Sequence, residues 1–152
     1  MGDPRPSSGP ISVWAMPDDQ DRPDHGRADV ELRLPADGVY VSVVRTTTAG
    51  LAARLDFLID DIEDLRIAVG EACAMVLPEA DPDSQLVCSY FLAPGRLTVE
   101  VAVDASSPGG PEYDSFAWQV LSTMATDAEA DASGGRFAVR LTMESGVPGA
   151  GS

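Results

Sequence analysis

The chain has no lysine and no asparagine, one histidine and two cysteines among its 152 residues. Without lysine there is no P-loop amine, no Schiff-base nucleophile and no kinase signature built on a strand lysine. A codon bias toward G and C is the alternative explanation of both gaps. His25 stands in a polar tail, so a Ser-His-Asp or Cys-His triad and a histidine zinc site have no candidate in the core. Cys73 and Cys88 show no C-x-x-C spacing and read as buried thiols. No apolar run approaches the ~18 to 20 residues that span a bilayer. The opening Met1-Gly2-Asp3-Pro4 lacks the basic start and apolar centre of a secretory signal, so a cytoplasmic protein without a membrane partner is expected.

Acids outnumber bases 25 to 10, for a formal net charge of −15 and a pI near 4.1. A phosphate backbone would be repelled, which argues against direct nucleic-acid binding. A hydrophobic content of 44% and a mean hydropathy of −0.02 suit one folded domain with a single core. Residues 1–28 are dense in Pro, Asp, Gly and Ser and are expected to be a disordered tail. Their one apolar island, residues 11–16 with Trp14, is either a short docking motif or a segment that collapses on the surface. Residues 29–144 form the domain, and 145–152 a second disordered tail. Acids gather at Asp56, Asp60, Asp61, Glu63 and Asp64, at Glu79, Asp81 and Asp83, and at Asp127, Glu129 and Asp131. Such a surface attracts a basic partner, or serves solubility alone.

Periodicity orders the domain. Val30, Leu32 and Leu34 alternate with Glu31 and Arg33, a half-buried strand ended by Pro35. Val39, Val43, Val44, Thr47, Leu51, Leu55 and Leu58 recur at three- and four-residue steps and predict a helix. Ile59, Ile62, Leu65, Val69, Ala72 and Val76 predict a second, stopped by Pro78. Strands over 85–92 and 96–103 flank Ala93-Pro94-Gly95, a type II turn signal. After a loop at 105–111, Phe116, Val120, Leu121 and Met124 predict a third helix. Phe137, Val139, Leu141 and Met143 mark a closing strand. The expected fold is a two-layer α/β (α+β) sandwich, with helices on one face of a mainly antiparallel sheet.

The order strand, helix, helix bearing Leu65-Arg66-Ile67-Ala68-Val69-Gly70-Glu71-Ala72-Cys73, hairpin, loop, helix, strand resembles the RsbW-type anti-sigma factors. These belong to the histidine-kinase-like ATPases of the Bergerat fold. The resemblance spans about residues 29–144 and is greatest to divergent actinobacterial members acting on stress or development sigma factors. It implies a sequestered sigma factor, release by an anti-anti-sigma (STAS) protein, and a fold whose members are commonly dimers. The family's Glu-x-x-x-Asn helix supplies a catalytic carboxylate and a magnesium ligand on one face. Here that pair reads Glu71 and Met75, and a thioether is a poor ligand for a hard cation. Glu71 is the candidate catalytic residue, with a solvated helix carboxylate as the alternative. The family's Asp-x-Gly-x-Gly motif makes Asp104, Gly109 and Gly110 the candidate nucleotide-binding residues, although Ala105-Ser106-Ser107-Pro108 separates them. Asp114-Ser115-Phe116-Ala117-Trp118 stands where a glycine-rich phosphate cradle is expected. ATP and magnesium are the cofactors if serine/threonine kinase activity survives; these departures imply none. Arg45, 26 positions before Glu71, matches a family arginine that engages both sigma factor and antagonist. An interaction module of unrelated role is the remaining alternative.

Overall fold

The computed structural model describes residues 26–146; the island at 11–16, His25 and residues 147–152 lie outside the described residues. Strand β1 (Val30–Pro35) turns Val30, Leu32 and Leu34 toward the core and Glu31 and Arg33 outward. The Asp37 side chain then accepts a hydrogen bond from Val39 N at 3.1 Å and caps a 3-10 turn, Gly38–Tyr40, that leads into helix α1 (Val41–Arg54). At the far end of α1, Phe57 N donates to Ala52 O and Asp56 N to Ala53 O, the paired bonds of a Schellman motif. Asp56 occupies the left-handed position at φ 63°, where glycine is usual, and the buried Phe57 anchors the reversal. Helix α2 (Ile59–Val76) follows at once, with Asp60 and Asp61 in its first turn, where they complement the helix dipole. A 3-10 turn over Leu77–Glu79, containing Pro78, ends it.

Strands β2 (Gln85–Ala93) and β3 (Arg96–Asp104) pair tightly enough that Ala93 faces Arg96. Only Pro94 and Gly95 connect them, and Gly95 at φ 70° takes the conformation a type II turn needs. After helix α3 (Phe116–Met124) come strands β4 (Asp127–Asp131) and β5 (Arg136–Glu144). The sheet order is β1-β2-β3-β5-β4, antiparallel throughout. The three α-helices of the described residues lie on one face, with α2 between α1 and α3 and packed on β3 and β5. The protein is thus the expected two-layer α+β sandwich, which suits the histidine-kinase-like ATPase fold.

The core joins Leu65, Val69, Ala72 and Val76 of α2 to Leu97, Val99 and Val101 of β3 and Val139 and Leu141 of β5, all fully buried. On the opposite sheet face, Glu100 accepts from Arg136 Nη2 at 2.8 Å and from Arg140 Nη2 at 3.1 Å. Burial works against the charge of Glu100, but bonds from and attraction to both guanidiniums outweigh it and hold the carboxyl below its usual range. The Arg140 guanidinium also lies 5.1 Å from the Phe91 ring centre.

Three readings of the sequence need correction. In α1 the buried positions are Val44, Thr48 and Ala52, while Val39 and Val43 are 71% and 40% exposed. Two interleaved four-residue series run along this helix. The series through Val44, Thr48 and Ala52 goes inside, and the buried Thr48 hydroxyl is satisfied by donating back to Val44 O at 2.7 Å. Phe116 is 78% exposed, because five residues turn it about 140° from the buried Leu121, whose face is shared by Ala117 and Trp118. The acids at 127, 129 and 131 belong to an edge strand, with Ala128 and Ala130 turned to the core. Its residue types are poor strand formers, but β5 supplies a template, and outward carboxylates discourage pairing with other chains.

Thr48 also meets the Tyr90 hydroxyl at 3.0 Å in a fully buried pair, and Val44 O lies 3.5 Å from that hydroxyl. Thr48→Val strands a buried phenol and should cost about 1–3 kcal/mol. Tyr90→Phe leaves Thr48 bonded to Val44 O and should cost less. Urea unfolding of the two single variants and the double variant checks this, and the double variant should lie near Tyr90→Phe.

Candidate functional site

The outer side of the helical layer and the turn that closes α2 carry the predicted residues. Glu71 is half-buried on α2, and Met75, one turn on, packs partly against the core. Arg45 reaches from α1 to α2, where its guanidinium rests on Gly70: a Cβ built there would meet Arg45 Nε at 2.9 Å. Arg45 and Glu71 therefore flank the same stretch of α2. Asp104 ends β3 in an exposed position. Its carbonyl accepts from Asp81 N at 2.8 Å, and the next residue, Ala105, is buried and donates to Gly135 O.

The loop after β3 is bound by the protein's own carboxylates. Asp81 accepts from Ser106 N at 3.0 Å and from Ser106 Oγ at 2.7 Å. Glu79 Oε1 accepts from Gly109 N at 2.8 Å. Asp104 and Gly109 are thus gathered around residues 79–81 just past α2, while Glu71 stands two turns earlier in that helix. Gly110, at φ 87°, has open space where a side chain would stand. At the start of α3, the Ser115 side chain accepts from Trp118 N at 3.1 Å, so the helix caps itself. Tyr113 packs edge-on against Trp118, with ring centres 4.9 Å apart.

These residues do not fit a magnesium nucleotide. Met75, which stands where the resembled family carries its magnesium-holding asparagine, offers a thioether, a poor ligand for a hard cation. The Gly109 amide, which a phosphate would need, already faces a carboxylate. Among the described residues, one surface cavity of about 560 Å³ lies along the open sheet face between Arg33 and Arg136 and touches Asp104. Another, of about 450 Å³, runs from Arg54 to the β2–β3 turn. Neither is lined by Glu71, Gly109 or Gly110. Sequence reading passed over Gly70, whose signal is a glycine in a helix interior, and saw Glu79 and Asp81 only as surface charge.

No family model matches the sequence. Proteins named serine-protein kinase RsbW, from Bacillus thuringiensis (strain Al Hakam), Bacillus cereus (strain AH820) and Bacillus anthracis (strain CDC 684 / NRRL 3495), are 37% identical to it over 75 residues. Over that stretch the chain is similar to RsbW. The match covers 48% of this chain and 47% of each RsbW, so the chain spans about half the length of the curated relatives it matches.

The hydrogen bonds from Ser106 N, then Ser106 Oγ, lower the Asp81 pKa from its ordinary 3.8. The folded value lies below the unfolded one, so this contribution to stability is complete above about pH 4 and lost as pH falls through the depressed value. Amide protection of Ser106 should therefore persist in mild acid and vanish in Asp81→Ala, and Glu79→Ala should expose the Gly109 amide. Hydrogen exchange followed by NMR reads both.

Proposed function

We propose that this chain is an anti-sigma factor that sequesters an alternative sigma factor through its helical layer and yields it to an anti-anti-sigma (STAS) protein. The observation that carries this reading is RsbW likeness combined with a loop whose phosphate-facing amide is taken by Glu79. Such a chain can retain partner binding without nucleotide chemistry. Asp60, Glu63 and Asp64 line the solvent side of α2 beside the exposed Ile67, a surface suited to the basic helices of a sigma subunit. Arg45 supplies the forked cation that grips a partner carboxylate. A cytoplasmic location accompanies this role; among the described residues no helix is long and apolar enough to cross a membrane.

The second reading is a working serine/threonine kinase that phosphorylates the antagonist, with Glu71 as base and ATP with magnesium as cofactor. It is favoured by the relatives' name and by the retained Glu71. Co-purification from the native cell should recover a sigma factor with the tagged chain. Recovery of only unrelated proteins would favour an interaction module of another role. Calorimetric titration with magnesium-ATP should show no binding, and labelled ATP should leave the antagonist unlabelled; micromolar affinity with label transfer would establish the kinase. Arg45→Ala should weaken the sigma complex about tenfold or more, the worth of a hydrogen bond to a charged group. Rising salt should slow association, as measured by surface plasmon resonance.

A further inference from the structure

Gly70 lies inside α2, where glycine costs about 1 kcal/mol relative to alanine, and no turn or positive φ requires it. What it accommodates is Arg45: a Cβ at position 70 would stand 2.9 Å from Nε, 3.0 Å from Nη2 and 3.4 Å from Cζ of that side chain. The guanidinium is pressed against the helix backbone and half-buried. The arginines at 33, 66, 96, 136 and 140 each meet a carboxylate. Arg45 has no hydrogen bond or ion pair among the described residues, and the ionisable neighbour it influences is the buried thiol of Cys73, which is uncharged at neutral pH. A planar cation with several donors, partly out of water and without a counter-charge, is held ready for an anion from outside. Ile67, 42% exposed and one turn before Gly70, offers apolar contact beside it.

We propose that Gly70 is a positioning residue whose missing side chain forms a bed for Arg45, presetting the guanidinium to receive a carboxylate of the partner protein. This rests on the reading of Arg45 as a partner-binding residue. Fixing the fork beforehand removes the cost of ordering a long side chain when the complex forms. An added methyl group would lift the guanidinium off the helix and return it to solvent.

The test is a double-mutant cycle on the full chain, with the sigma factor recovered by co-purification as the probe, joined to an NMR measurement that needs no partner. Gly70→Ala should keep or raise the thermal midpoint, because alanine is the better helix former. The ordered Nε–H signal of Arg45 should become mobile, and affinity for the sigma factor should fall about tenfold. In an Arg45→Ala background, Gly70→Ala should change affinity no further. Arg45→Lys, which leaves α2 intact but removes the planar fork, should give a comparable loss and serves if the alanine variant does not fold. If Arg45→Ala weakens binding while Gly70→Ala and Arg45→Lys do not, the bed is overturned and the partner role of Arg45 stands. If Arg45→Ala itself has no effect, the partner reading of Arg45 fails, and the proposal with it. An Arg45 Nε–H that stays ordered in Gly70→Ala overturns the bed without reference to any partner.

Discussion

A helix placed at the centre of a three-helix layer has little surface to spare for water. In α2, Ile62, Leu65, Val69, Ala72 and Val76 seal the sheet, while α1 and α3 flank it on either side. Each large apolar side chain so buried contributes about 1.5–3 kcal/mol, before the entropy of ordering the chain is set against it. What remains exposed is a narrow strip bearing Glu63, Ile67 and part of Glu71. Anything α2 itself does toward another molecule must be done from this strip and the side chains leaning over it. The rigidity that the core imposes on α2 is also what makes a few ångströms at Gly70 matter.

The same helix sets the fate of the loop after β3. Where α2 ends, the chain turns through Leu77–Glu79 and brings Glu79 and Asp81 against backbone amides of residues 106 and 109. Amides of this kind bind anions wherever their charge comes from, and an intramolecular carboxylate has a high effective concentration. A phosphate would have to displace Glu79 and then remain beside two negative charges without a metal to offset them. On the proposed reading, contacts that stabilise the fold would by themselves weaken nucleotide affinity in a chain similar to RsbW.

How far these features could be read from the residues depends on how local their causes are. The hairpin from Gln85 to Asp104 was legible because a two-residue period and a Pro-Gly turn act within a few positions. Helix α2 was equally clear, since its apolar stripe has one phase. Helix α1 was legible as a helix but not in its facing, because the inward position at 48 is a threonine whose polarity is satisfied only after folding. Strand β4 was invisible as a strand: Asp, Ala and Glu carry little intrinsic preference for one, and the stabilising partner lies on β5. At the site, Glu71, Met75 and the interrupted glycine pattern could be set only against the motifs of the resembled family. The carboxylates that bind the loop after β3 looked like ordinary surface charge, since the bond from Gly109 to Glu79 joins residues thirty positions apart. Gly70 was hidden for the same reason, its purpose lying on another helix.

The charge distribution separates two tasks that recognition requires. Broad negative charge acts at a distance, accelerating encounter with a basic surface, but it is screened by salt and carries little information about orientation. A single fixed guanidinium acts only at contact and demands a carboxylate at one place, which supplies register. On a surface as acidic as this one, most acidic partners are repelled before contact. On the proposed reading of Arg45, a partner that is basic overall and bears one carboxylate opposite it would satisfy both conditions. Discrimination would then come as much from repulsion of the wrong molecules as from attraction of the right one.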